Sequence, residues 1–203
     1  MHPKKEKTFV ILKPDSVQRG LIGDIIKRFE KIGLKIVAMK MAVATEEQCL
    51  KHYNKDDVWY KRIGTKIIEN RTAQGQVVDK DAIAYGKDVI GRVIEYITCS
   101  PIVLIALEGN NAQALVKRLV GVTEPATADT GTIRGDYAID SYYMADTDGS
   151  RAIRNLVHCT DPADGEDAAE REIGVWFREE EIIKWKSINE KMLYDVDLDG
   201  HLE

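Results

Sequence analysis

The sequence predicts an α+β fold of ferredoxin-like type, βαββαβ, in which an antiparallel sheet has helices on one face. Short apolar, β-rich stretches alternate along the chain with stretches whose apolar residues recur at helical spacing. Between the second and third strands a long helical excursion interrupts this alternation, which predicts an inserted helical-hairpin extension. We expect the 203 residues to form a single domain, 1–203.

Two strands and two helices are predicted in the first quarter of the chain. Residues 8–12 are apolar and β-rich, and they stop at Lys13-Pro14, as a buried strand should. Residues 21–29 then carry apolar side chains at helical spacing, before a glycine that suits a helix end. Residues 34–43 predict the second strand, and a capping box at residues 45–48 predicts a short helix.

The remaining strands and helices follow from the same signals. Residues 102–107 form an apolar run typical of a buried strand, and residues 112–120 present a helical apolar face. After a loop rich in Thr, Pro and Gly, residues 137–144 predict the fourth strand, and residues 166–173 predict the last helix.

Three segments lie outside this plan. Residues 66–88 are polar and contain the two glycines Gly75 and Gly86, which are typical of turns and breaks. They predict an insertion that lengthens the helical hairpin. Residues 145–150 predict a second insertion, an exposed turn after the fourth strand. Residues 195–203 predict a frayed acidic tail.

Composition excludes several classes of function. A net charge of −5 does not indicate the basic surface that binds nucleic acid or an anionic membrane, so we expect neither as a dedicated partner. The charged residues 1–7 do not resemble a signal peptide, and the longest apolar run, residues 102–107, is too short to cross a bilayer. Three widely spaced cysteines match no metal or redox motif, so we expect a cytoplasmic protein.

The most informative stretch is residues 154–161. It places the His158 imidazole near the carboxamide of Asn155, the hydroxyl of Thr160 and the carboxylate of Asp161. Imidazole is a nucleophile near neutral pH and can accept a phosphoryl group. Taken alone, this stretch is ambiguous, because a lone histidine beside apolar Leu156 and Val157 is more often structural than catalytic.

Phosphate binding would depend on side chains, because the sequence has neither a P-loop nor a dinucleotide-binding glycine motif. Lys13 ends the first predicted strand, and Arg134 is flanked by glycines that let a ligand approach the backbone. Further candidates are Lys117, Arg118 and the hydroxyl of Thr123.

Seven stretches, in order, closely resemble the nucleoside diphosphate kinase family. They are residues 8–15, 17–23, 51–53, 121–125, 131–136, 155–161 and 169–173. The resemblance runs from about residue 7 to 185, interrupted at the two predicted insertions. It implies transfer of the terminal phosphoryl group from a nucleoside triphosphate to a nucleoside diphosphate, by a ping-pong mechanism through phosphohistidine at His158 and with broad base specificity.

The resemblance also implies roles for individual residues. It implies catalytic roles for His158, for Glu172, which orients its ring, for Thr160 beside it and for Lys13. Residues implied to hold phosphates and ribose hydroxyls are Lys13, Tyr53, Thr123, Arg134 and Asn155. The implied cofactor is Mg²⁺, held mostly by the nucleotide, with Asp161 as a water-mediated contact. ATP and other nucleoside di- and triphosphates are the implied partners, and a homo-oligomer, a hexamer or tetramer, is implied as the assembly.

Two departures from the family pattern leave questions open. The family usually has arginine where this chain has Lys117, so Lys117 or the adjacent Arg118 is expected to contact phosphate. The aromatic residue that covers the base should fall in the hairpin, where the candidates are Trp59, Tyr60, Val89 and Val93. Alternative hypotheses are a catalytically weak homologue that senses nucleotides or binds proteins, and a ferredoxin-like regulatory domain without chemistry.

Overall fold

The computed structural model describes residues 5–147, 150–165, 167–188 and 190; the predicted acidic tail lies outside them. One four-stranded sheet organises the fold, in the order β2-β3-β1-β4 with every neighbouring pair antiparallel. Its strands are β1 (Glu6–Leu12), β2 (Lys35–Ala42), β3 (Ile102–Gly109) and β4 (Val157–Cys159). This order confirms the predicted ferredoxin-like α+β fold.

Nine α-helices accompany the sheet in the described part of the chain. They are α1 (Pro14–Gln18), α2 (Ile22–Lys31), α3 (Glu46–His52), α4 (Asp57–Ala73), α5 (Ala82–Thr98), α6 (Ala112–Val120), α7 (Ile133–Tyr137), α8 (Tyr142–Thr147) and α9 (Ala168–Trp176). Single 3₁₀ turns lie at Pro125–Thr127, Pro162–Asp164 and Glu179–Glu181. The predicted capping box at Thr45 is confirmed as the start of α3.

Helices cover both faces of the sheet. The two helices that connect the strands of the predicted ferredoxin-like pattern, α2 and α6, lie together on the face that receives Val10 and Leu12 of β1. The opposite face receives Phe9 and Ile11 and is covered by the hairpin helix α5 and by α9. Because β1 is central and buried on both faces, its sequence is continuously apolar instead of alternating.

The predicted fourth strand at residues 137–144 is wrong. In this stretch α7 ends, a short link follows and α8 begins, with Ile139 and Tyr143 exposed to 78% and 69%. The buried carboxylate of Asp140 binds the guanidinium of Arg151 at 2.6 and 3.0 Å, which fixes the link as a loop. The position beside β1 is instead occupied by Val157–Cys159. Residues 145–147 of the predicted exposed turn form the last part of α8, and Ala145 is buried.

The lengthened hairpin consists of α4 and α5, and residues 66–88 form its outer half. Its two helices touch backbone to backbone at Gly64 and Gly86. A Cβ atom at Gly64 would lie 1.7 Å from the carbonyl oxygen of Ala82, and one at Gly86 would lie 2.3 Å from that of Tyr60. Only glycine permits this approach. No helix in the described ranges is long and apolar enough to cross a membrane.

Candidate active site

The turn after β1 positions the start of β4, the strand that carries His158. The backbone amide of Lys13 and the hydroxyl of Ser16 each donate to the carbonyl oxygen of Leu156 at 2.8 Å. The carboxylate of Asp15 accepts the amide of Leu156 at 3.0 Å. Leu156 is held at a φ of 65°, an unfavourable conformation for a branched residue. Three hydrogen bonds therefore fix the peptide two residues before His158.

The His158 ring makes its contacts through one nitrogen. Its Nε2 lies 3.3 Å from Oε1 of Glu172 and 3.1 Å from Nε2 of His52. The rings of Tyr53 and Phe9 lie beside it, with centroids at 5.8 and 6.4 Å. Within the described residues Nδ1 has no hydrogen-bond partner, and the side chain is 21% exposed. The geometry thus leaves Nδ1 available to a substrate.

Glu172, on α9, is held in place from β1 through Thr160. The buried Thr160 hydroxyl donates to Oε2 of Glu172 at 2.6 Å and accepts the backbone amide of Phe9 at 3.2 Å. Burial pushes the pKa of Glu172 upward, but the neighbouring His158 and His52 rings and the Thr160 hydroxyl outweigh it and lower this pKa to about 2. Glu172 is therefore a carboxylate that accepts hydrogen bonds at neutral pH.

Sequence reasoning missed His52 and Trp176. His52 ends α3 and is buried, and its Nδ1 accepts the indole N–H of Trp176 at 3.2 Å. Burial, with the nearby His158, holds the pKa of His52 well below its ordinary value, so His52 is neutral. The only sequence signal was its position beside Tyr53, whereas Trp176 looked like an ordinary core residue.

His52, His158 and Glu172 also form a possible metal-binding group, with ligand atoms all within 4.8 Å of one another. A neutral imidazole that binds a metal through Nε2 carries its proton on Nδ1. At His52 that proton would face the indole N–H of Trp176, which can only donate. This hydrogen bond makes the group a poor resident metal site.

Lys13 and Asn155 meet at the end of β1. The ammonium of Lys13 donates to Oδ1 of Asn155 at 2.7 Å, and both side chains are buried. Nδ2 of Asn155 donates in turn to the carbonyl oxygen of Thr123 at 3.0 Å. Burial, followed by repulsion from Arg134, lowers the pKa of Lys13 to about 8. Lys13 is a poorly hydrated cation that an incoming anion would stabilise.

Arg134 lies near the start of α7 and is 5% exposed. Its guanidinium donates to the carbonyl oxygens of Asn155, Gly121 and Val157 at 3.1, 2.8 and 2.6 Å. Arg134, which is expected to bind phosphate, therefore also ties the backbone just before His158, at Asn155 and Val157, to Gly121 at the end of α6. Three of its five N–H groups serve that structural role.

The two cations of α6 have different surroundings. Lys117 forms an ion pair with Asp161, the residue that follows Thr160 and caps a 3₁₀ turn. Arg118 is exposed and has no ion pair or hydrogen bond to any residue that the structure describes. Lys117 thus faces the His158 segment. Thr123 is exposed in the loop after α6.

Tyr53 and the four candidate base-covering residues lie around α3 and the hairpin. Tyr53 packs edge-on against His52, and its buried hydroxyl has no partner among the described residues. Each of Trp59, Tyr60, Val89 and Val93 is half-buried, so burial does not distinguish them. Lys55 connects Trp59 with the loop after His158, because its ammonium lies 6.0 Å from the Trp59 ring and 3.4 Å from Asp164.

Comparisons with known proteins agree with this geometry. The sequence profile of the nucleoside diphosphate kinase family matches residues 6–93 and 83–182. A nucleoside diphosphate kinase of Pyrobaculum aerophilum is 44% identical over 185 residues, covering 88% of this chain and 98% of the relative. One from Archaeoglobus fulgidus is 37% identical over 190 residues, covering 94% and 98%.

Solved structures show the same likeness. The crystal structure of an NDP kinase from Pyrobaculum aerophilum has a TM-score of 0.82 and 42% identity, covering 89% of this chain and all of that one. A transition-state mimic of the Borrelia burgdorferi enzyme, with vanadate and ADP, has a TM-score of 0.73 and 34% identity, covering 93% and 96%. With the profile match and these identities, the chain belongs to the nucleoside diphosphate kinase family.

Proposed function

We propose that this protein transfers the terminal phosphoryl group of a nucleoside triphosphate to a nucleoside diphosphate through phosphohistidine at His158. Family membership establishes the reaction class, phosphoryl transfer between nucleotides. The observation that carries the assignment is the asymmetry of the His158 ring, whose Nε2 faces Glu172 while Nδ1 has no partner among the described residues. A proton on Nε2 donated to Glu172 leaves a lone pair on Nδ1, the nucleophilic form.

The surrounding cations supply most of the remaining catalysis. Phosphoryl transfer needs chiefly positioning and neutralisation of charge. We assign three cations to the phosphates: Lys13, Lys117 and Arg134, the last of which would donate through its two remaining N–H groups. The hydroxyls of Tyr53 and Thr123 and the amide of Asn155 are assigned to the phosphates and ribose. Ping-pong transfer requires that donor and acceptor bind the same set in turn.

Mg²⁺ is the proposed cofactor, carried in with the nucleotide. Both carboxylate oxygens of Asp161 are already engaged, one by Lys117 and the other by the amide of Ala163 at 3.1 Å. This fits a contact through water better than direct coordination. When bound, Mg²⁺ would neutralise charge on the phosphate oxygens.

The remaining proposals concern substrates, assembly and location. ADP and CDP accompany two related structures, which supports broad base specificity. A homo-oligomer, hexamer or tetramer, is supported by the outward apolar residues Met39 and Met41 of edge strand β2 and Val43 just after it, each at least half-exposed. A cytoplasmic location is supported by the three cysteines, all free. The intact set of site residues disfavours a catalytically weak homologue.

The test is transfer of labelled γ-phosphate from Mg·ATP to the protein, followed by a chase with unlabelled nucleoside diphosphates. We expect one alkali-stable, acid-labile phosphate per chain, lost on addition of any of several diphosphates. The His158→Gln variant should lose both the label and nucleotide exchange, whereas the matched His2→Gln variant should retain them. Label that persists in His158→Gln, or exchange without a phosphoenzyme, would contradict the assignment.

A further inference from the structure

A buried series of hydrogen bonds leads from Trp176 through His52 to His158. The indole N–H of Trp176 can only donate, so Nδ1 of His52, 3.2 Å away, must be an acceptor. Because the buried His52 ring is neutral, its single proton is then on Nε2. Trp176 thereby makes Nε2 of His52 a donor, and this donor lies 3.1 Å from Nε2 of His158.

His52 and Glu172 favour opposite tautomers of His158. The N–H of His52 bonds well to Nε2 of His158 only when that nitrogen is unprotonated, which places the His158 proton on Nδ1. The Glu172 carboxylate, 3.3 Å from the same nitrogen, bonds well only when Nε2 is protonated. One nitrogen cannot satisfy both partners, so each stabilises a different form of the ring.

We propose that the Trp176–His52 pair stabilises unphosphorylated His158 in its Nδ1-protonated tautomer and thereby raises the phosphoryl-transfer potential of phosphohistidine. The proposal rests on the function proposed above. In the Nε2-protonated tautomer, Nδ1 attacks the γ-phosphorus, the bond to the β–γ bridging oxygen breaks, and the electron pair leaves with the nucleoside diphosphate. The Nε2 proton stays hydrogen-bonded to Glu172. The Nδ1-protonated tautomer must first release that proton to water while Nε2 takes one from water.

Phosphorylation of Nδ1 removes the tautomer that His52 favours. In the phosphoenzyme Nε2 of His158 keeps its proton, and the His52 N–H then faces another N–H, so one favourable hydrogen bond is lost. A hydrogen bond of this kind corresponds to a shift of about 2- to 12-fold in an equilibrium constant. A less stable intermediate suits an enzyme that passes phosphoryl groups between nucleotides in both directions, because an overly stable phosphohistidine would retain them. His52 and Trp176 are thus positioning residues that act through the His158 proton.

The first test is the protonation pattern of His52, read by ¹⁵N NMR of protein labelled at the histidine ring nitrogens, with the His52→Phe spectrum used for assignment. We expect unprotonated Nδ1 and protonated Nε2 in the unphosphorylated wild type. In Trp176→Phe the restraint is removed, and His52 should populate the Nδ1-protonated tautomer. A wild-type His52 that carries its proton on Nδ1 would overturn the proposal without any measurement of activity.

The second test is the equilibrium between enzyme plus ATP and phosphoenzyme plus ADP, measured by intact mass at fixed ATP:ADP ratios. Trp176→Phe should raise the fraction phosphorylated, shifting the constant about 2- to 12-fold. The matched control, Trp185→Phe, removes an indole N–H that donates to the carbonyl oxygen of Ile36 instead, and should leave the constant unchanged. His52→Phe, which removes the donor itself, should shift it in the same direction and serves if Trp176→Phe does not fold.

Impaired packing alone would lower the melting temperature without moving the His52 proton, so the NMR and equilibrium measurements together distinguish it from the proposed effect. A constant equal to wild type, or lower, in the folded variants would overturn the proposal while leaving the proposed function intact. A wild type that forms no phosphoenzyme would overturn both.

Discussion

Nζ of Lys13 and Oδ1 of Asn155 lie 2.7 Å apart although 142 residues separate them in sequence. The contact joins the end of β1 to the segment before β4, and it places a buried ammonium beside the His158 strand. Burial and the nearby Arg134 lower the pKa of this ammonium to about 8. Because this ammonium loses its proton at a lower pH than an ordinary lysine, its titration should affect both nucleotide binding and the free energy of unfolding.

Nucleotide affinity should therefore fall as pH rises above about 8, because Lys13 becomes neutral in the free enzyme. Its pKa is lower in the folded state than in the unfolded state, so from pH 8 towards 10.5 the unfolded state binds more protons. Lys13 should accordingly make the free energy of unfolding increase with pH in that window, by about 1–3 kcal/mol. Urea unfolding across this pH range would test the predicted increase in stability, and calorimetry of ADP binding would test the predicted decrease in affinity. In Lys13→Met both contributions should vanish, and identical pH profiles for the two proteins would contradict the prediction.

Removal of the Thr160 hydroxyl should release Glu172 and misalign His158. Thr160→Val keeps the volume but leaves Oε2 of Glu172 without its 2.6 Å donor. Loss of a hydrogen bond to a charged group should decrease the rate of His158 phosphorylation about 10- to 100-fold, equivalent to about 1.5–3 kcal/mol. Rapid-quench phosphorylation by ATP would measure it. Thr65→Val, which alters a hydroxyl bonded to the Lys61 carbonyl on exposed α4, is the matched control. Equal rates in the Thr160 and Thr65 variants would show that Glu172 is held without Thr160.

Arg134→Lys should reduce both activity and stability. Lysine offers a point charge where the guanidinium serves three carbonyl oxygens, so some of those carbonyls would be left without a partner. We expect a loss of about 2–4 kcal/mol of transition-state stabilisation, or roughly 30- to 1,000-fold in kcat/KM for ATP. We also expect a melting temperature several degrees lower, at about 2–4 °C per kcal/mol. A rate near wild type would show that Arg134 does not contact the phosphates, and an unchanged melting temperature would show that its carbonyl bonds are dispensable.

Lys117 and Arg118 are adjacent cations with different expected effects. Lys117 is paired with Asp161 beside the His158 strand, whereas Arg118 is exposed on α6. Lys117→Ala should weaken ADP binding about 10- to 100-fold, as expected for loss of a charge-assisted contact. Arg118→Ala removes the same formal charge one residue away and should bind nearly as wild type. Calorimetry with Mg·ADP would compare them. If Arg118→Ala had the larger effect, Arg118 would be the phosphate contact.

Local sequence patterns were sufficient to predict the order of the main elements and the identity of the family. Continuous apolar runs predicted β1 and β3 because central strands are buried on both faces, and the capping box predicted the start of α3. These signals are local, so the sequence contains them in full. Seven ordered motifs likewise predicted a family that the sequence profile then matched.

Tertiary structure decided the position of the fourth strand. Residues 137–144 have β propensity, but pairing with β1 depends on a partner distant in sequence, and Val157–Cys159 occupies that edge. β4 is three residues long and follows a residue at positive φ, so it carries almost no local pattern of its own.

Tertiary structure also determined which hydrogen-bond donors, acceptors and charged groups are paired with one another. His52 and Trp176 are separated by 124 residues and look like core, yet one hydrogen bond between them fixes the His52 proton that faces His158. Arg134 and Lys117 were visible in the sequence as cations, but their partners, three backbone carbonyls and Asp161, were not. Periodicity reports burial along one element, whereas donors and acceptors are paired across elements, and that pairing exists only once the chain has folded.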